Sequence, residues 1–119
     1  MPAKVDFKQS MKEFYQPSSK EVVLVNVPEM QFLMINGMGS PGDSKEYQDA
    51  LETLYPIAFK VKFLSKAQGQ DYVVPPLEGL WWADNMDDFV EGNRDMWKWT
   101  MMIMTPDWID VETFKKAIN

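Results

Sequence analysis

The sequence predicts a single α+β domain, and three observations carry that reading. The long run from Asp43 to Gly69 repeats apolar residues at helical spacing. Shorter runs at 30–38, 77–83 and 96–104 are rich in β-branched, aromatic and methionine residues and stop at glycine, proline or aspartate. The chain has 119 residues, enough for one domain to bury a core without disulfides or metal.

The elements follow in order. Asp6 to Gln16 reads as a short helix, with Asp6 as N-cap, Phe7, Met11, Phe14 and Tyr15 on one side, and Pro17 as its stop. Glu21 to Val27 is β-branched and ends at Pro28, so it reads as a lead-in or edge partner to a principal strand at 30–38. Gly39-Ser40-Pro41-Gly42-Asp43 is a turn; it lacks the Gly-Lys-Ser/Thr ending and the glycine spacing of a phosphate loop. In the long helix Asp43 is the expected cap with Glu46 as its capping-box partner, and Tyr47, Ala50, Leu51, Leu54, Ala58, Val61 and Ser65 share a face. Pro56 predicts a kink or two abutting helices, and Gly69 the stop.

Tyr72–Val74 and Leu77–Ala83 read as two strands joined at Pro75-Pro76, which cannot donate to a ladder. Asp84 to Asp95 reads as a solvated acidic loop; its Asp84, Asp87, Asp88 and Glu91 lack the ligand spacing and central glycine of a calcium loop. Met96–Met104 is the most apolar strand. Asp110 then caps a last helix through Val111, Phe114 and Ala117.

Composition removes whole classes of chemistry. With neither cysteine nor histidine there is no disulfide framework, no zinc site of the usual kind and no Ser-His-Asp or Cys-His machinery, so acid–base work falls to Asp, Glu, Lys or Tyr. No metal and no cofactor is expected. The net charge of −6 without a Lys/Arg cluster argues against nucleic acid. Neither a signal-peptide run nor a membrane-length apolar run is present, so a cytoplasmic location is expected. Ten methionines fill core gaps or line an adaptable surface.

The chemistry concentrates in Pro75-Pro76-Leu77-Glu78-Gly79-Leu80-Trp81-Trp82, where one carboxylate lies between a proline pair and a tryptophan pair. Strand alternation puts Glu78, Leu80 and Trp82 on one face and Leu77, Gly79 and Trp81 on the other, and the Glu78 face is more apolar than a solvated face should be. Trp97-Lys98-Trp99 repeats the theme, its two indoles sharing a face. If the two segments are neighbours, their indoles wall a pocket with Glu78 as its charged group, suited to a flat apolar or cationic ligand. The competing reading is an aromatic core with no ligand.

The element order, together with Val27-Pro28-Glu29-Met30-Gln31-Phe32-Leu33-Met34-Ile35-Asn36-Gly37, Glu46-Tyr47-Gln48-Asp49-Ala50, Asp71-Tyr72-Val73-Val74 running into the Glu78 stretch, and Trp97-Lys98-Trp99-Thr100, resembles the GyrI-like small-molecule-binding domain. The resemblance implies an antiparallel sheet with one long helix packed on it. It implies a strand-helix-strand-strand module at residues 1–119 plus the start of a second, represented by the strand 96–104 and the last helix turns. The chain is then a fragment of a longer protein, or two copies complete each other's sheet; the apolar strand 96–104 favours a homodimer. A module of this kind binds hydrophobic, aromatic or cationic small molecules through Glu78, Trp81, Trp82, Trp97, Trp99 and Tyr72. Alternatively it is a hydrolase that opens cyclopropane rings of DNA-alkylating natural products. In that case Glu78 is the catalytic residue, activating water with a pKa raised by burial. A third reading is a structural dimerisation domain without a ligand.

Overall fold

The computed structural model describes residues 4–42 and 44–119. Two four-residue helices, α1 (Phe7–Ser10) and α2 (Lys12–Tyr15), precede strand β1 (Gln31–Met38), the long helix α3 (Lys45–Ala67) and strand β2 (Glu78–Trp82). Helix α4 (Met86–Val90), a 3₁₀ turn (Arg94–Met96), strand β3 (Lys98–Thr105) and helix α5 (Val111–Ile118) follow. The three strands form one antiparallel sheet in the order β1-β3-β2, with α3 packed on one face. This is the expected α+β class.

Helix α3 owes its length to its caps and its stripe. Ser44 accepts a hydrogen bond from the Tyr47 amide at 3.3 Å; the expected cap, Asp43, lies outside the described residues. Ala50, Leu54, Ala58, Val61 and Ser65 recur on the buried face, and burying Leu54 or Val61 contributes about 1.5–3 kcal/mol each. Pro56 does not split the helix. Both Pro56 and Glu52, whose carbonyl loses its donor, are exposed, so water can take the missing bond. Gly69 adopts φ +91° just past the end, where its amide meets Lys66 O and that of Gln70 meets Ser65 O. Below this end the buried Lys62 ammonium lies 2.6 Å from Asp71, whose carboxyl it holds below the usual range.

Several local expectations are corrected. The helix expected over Asp6–Gln16 is broken at Met11, whose backbone leaves the helical region. Residues 21–27 form no strand: nothing pairs with their backbone, and Val22 and Leu24 stand fully exposed. Tyr72–Val74 is not a sheet strand either; Tyr72 makes a single parallel bridge to Val5, and Pro75-Pro76 carries the chain to β2. The acidic loop contains α4, because Asn85 accepts from the Asp87 amide at 3.0 Å and caps it.

The most consequential correction concerns the strand at the end. β3 lies between β1 and β2 and pairs with both, so it completes the first strand-helix-strand-strand unit instead of opening a second. Its residues from Trp99 to Thr105 are all buried. The unpaired edges of the sheet are β1 and β2.

Tyr72 packs edge-on against Phe7 and Trp108, with ring centroids 6.2 and 6.0 Å away, and burial pushes its phenol up to about 12. Unfolded tyrosine ionises near pH ~10, so Tyr72 stabilises the fold below that pH, and this contribution is lost as pH rises toward about 12. Urea midpoints measured across that interval should fall with pH, and the fall should be shallower in Tyr72→Phe. Equal slopes in the two proteins would contradict this.

Candidate functional site

Alternation along β2 and its register with β3 sort the aromatic residues into two groups. Glu78 is opposite Met102, Leu80 opposite Thr100 and Trp82 opposite Lys98; across β3 the same rows continue to Met34, Asn36 and Met38 of β1. These side chains form the sheet face away from α3. Leu80, Trp82, Met34 and Met38 are exposed on it. An open face this apolar is unusual for a sheet that ends at solvent.

Glu78 is half-buried at one end of this face. The hydroxyl of Tyr15, carried there by α2, donates to Glu78 Oε2 at 3.1 Å. Burial first, then the adjacent Glu78 charge and the hydrogen bond to it, push the Tyr15 phenol well above its ordinary range. Tyr15 therefore stays a neutral donor at physiological pH. A cavity of about 140 Å³ opens beside the pair, walled by Phe14, Val25, Val27, Met30 and Phe32. In the middle of the face Thr100 Oγ1 donates to Asn36 Oδ1 at 2.6 Å, and at the far end Lys98 pairs with Asp84 at 2.9 Å. One carboxylate, a phenol that orients it and an apolar floor are thus assembled together. With Oε2 held by Tyr15, the carboxylate can take a proton from a water placed against a bound apolar molecule.

The residues expected to share this site are divided. Of the indoles only Trp82 joins Glu78. The register sets Trp81 directly opposite Trp99, so both point to the helix side. Trp99 has no exposed surface and lies edge-on to Tyr47 at 5.3 Å, while Trp81 contacts Tyr47 at 5.8 Å and Trp97 at 6.0 Å. Trp97 falls just outside β3, where the 3₁₀ turn ends, and stacks on Phe89 of α4 at 4.6 Å. Tyr72 is in the core, as described above. The expected pocket walled by both tryptophan pairs is therefore not formed, because strand pairing turns the Trp81–Trp99 pair under α3. Tyr15, Met34, Asn36 and Thr100 are the residues that sequence reasoning missed. Tyr15 and Glu78 are 63 positions apart, and no local spacing signals such a contact. Among the described residues no acidic cluster is placed to hold a metal ion, and no helix is long and apolar enough to cross a membrane.

Neither a protein-family model nor a curated protein matches this chain. Solved structures do. An uncharacterized conserved protein from Listeria innocua superposes with a TM-score of 0.83 at 42% identity, over 96% of this chain and 56% of its own. A hydrolase from Listeria innocua matches at 44% identity with a TM-score of 0.75, over 96% of this chain and 55% of its own. A second structure described as a Listeria innocua hydrolase matches at 42% identity with a TM-score of 0.77, over 98% of this chain and 57% of its own. The chain spans a little over half the length of these proteins and shares their fold across nearly all of its own.

Proposed function

We propose that this chain is the N-terminal module of a GyrI-like domain and that its open sheet face binds flat, hydrophobic small molecules for hydrolysis. The observation that carries the reading is the Tyr15–Glu78 pair, a carboxylate fixed by a neutral donor at the end of an exposed apolar face. Leu80, Trp82, Met34 and Met38 hold the ligand by area and stacking. Glu78 takes a proton from water while the water oxygen bonds to an electrophilic ring carbon. The strained carbon–carbon bond breaks, and its electron pair passes to the conjugated part of the substrate, which then takes up a proton. The substrates that fit are cyclopropane-bearing DNA-alkylating compounds, and their neutralisation belongs in the cytoplasm. The hydrolase descriptions of two of the Listeria innocua proteins support this choice over ligand binding alone.

The test is incubation of the purified chain with conjugated cyclopropane compounds, followed by mass spectrometry. The expected product is heavier than the substrate by one water. Saturable quenching of tryptophan fluorescence with no such product would reduce the reading to a binding module, and absence of both would remove it.

A further inference from the structure

The largest cavity in the molecule is not at Glu78. It is a groove of about 560 Å³ running along the unpaired edge of β1 on the helix side, walled by Leu33 and Ile35, by Leu54 and Ile57 of α3, and by Val111 and Phe114 of α5. Gln31 anchors the start of this edge by donating to Pro106 O and Ile109 O at 2.6 and 2.9 Å, so strand and α5 are held as one wall. The direction of the free backbone groups follows from the ladder. The Gly39 amide bonds to Trp97 O, which makes the odd-numbered residues of β1 the ones hydrogen-bonded to β3. The amides and carbonyls of Phe32, Met34, Asn36 and Met38 therefore point outward.

Natural sheets protect such an edge with lysine, proline, a bulge or a covering element. Residues 30–38 contain no charged residue and no proline, and the backbone is regular from 31 to 38. We infer that this edge is a pairing surface and that its occupant is β1 of a second copy of this chain, added antiparallel about a two-fold axis.

Three features favour a second copy. An uncharged strand meets itself without opposing like charges, as an isologous interface requires. A two-fold perpendicular to the sheet keeps both helix layers on one side, so Leu33 and Ile35 of the added strand enter the groove while its outward amides and carbonyls meet those of Phe32 to Met38. Finally, the solved structures carry nearly as much chain again outside the match, and a second copy supplies a comparable length. The result is a six-stranded sheet whose two Glu78 faces form one continuous surface. This inference is independent of the hydrolase reading, because its test reads mass.

Light scattering on the purified chain should give twice the 13.9 kDa chain mass. Met34→Pro removes one outward amide from an exposed edge position, where proline is tolerated, and leaves the β1–β3 bonds intact. Val111→Lys places a charge in the groove from an exposed site on α5. Each change occurs twice in the dimer, so each should raise the dissociation constant by roughly 100-fold or more. Circular dichroism should report an unchanged fold. A monomeric parent chain, assemblies larger than a dimer, or either variant folded and still dimeric would overturn the inference. If Met34→Pro fails to fold, Val111→Lys decides alone.

Discussion

Gly37→Ala is expected to destabilise the fold by about 3 kcal/mol or more, the upper end of what overpacking a core costs. A methyl group built at this position would lie 2.2 Å from Trp99 Cη2 and 2.3 Å from Cζ2. Neither side can yield cheaply. Gly37 is paired with Trp99 in the ladder, and the indole is wholly buried with Tyr47 set edge-on against it. The positive-φ glycines are Gly39, Gly69 and Gly92, so Gly37 is required for space and not for its backbone conformation. That distinction is testable. In urea the midpoint should fall with little change in slope, and shrinking the ring in Gly37→Ala/Trp99→Leu should recover part of the loss, so that the double variant is more stable than the sum of the singles. A Gly37→Ala protein within about 0.5 kcal/mol of the parent, the range of an ordinary surface change, would show that the indole can move aside.

Glu78→Gln is expected to lower turnover by roughly 10²–10⁴-fold, the usual contribution of a positioned general base. Substrate affinity should change only a few-fold. Glutamine keeps an oxygen that can accept from Tyr15, so the pair and the fold survive while the proton acceptor is lost. The split between kcat and KM is the readout: a chain that only binds ligands would show an altered dissociation constant and no reaction to lose. Tyr15→Phe is the companion. It removes the donor that fixes the carboxylate but leaves the base in place, so its loss should be smaller than that of Glu78→Gln. Full turnover in Glu78→Gln would sink the assignment of Glu78 as base.

Much of the fold was legible because its signals are local. The stripe from Tyr47 to Ser65, Gly69 as stop, Asp110 as cap and the alternation through Glu78, Leu80 and Trp82 are each read from residues a few positions apart, and the structure has them all. Caps, turns and periodicities are set by neighbours along the chain, so a sequence displays them directly. Glu78 could be singled out for the same reason, since a lone acid on an apolar strand face is visible without a fold.

Only the tertiary structure decided which indoles accompany that acid and what completes the site. Pairing β2 with β3 in the register Trp81–Trp99 sends both rings under α3, and one residue of slip would have sent them to the open face. Placing β3 in the centre of the sheet moved the unprotected edge from the strand that is most apolar to β1, which is less so. Tyr15 reached Glu78 across 63 positions because α2 folds onto the sheet. Sequence determines which side chains alternate; register, strand order and docking determine which of them meet, because these depend on contacts between segments distant in the chain.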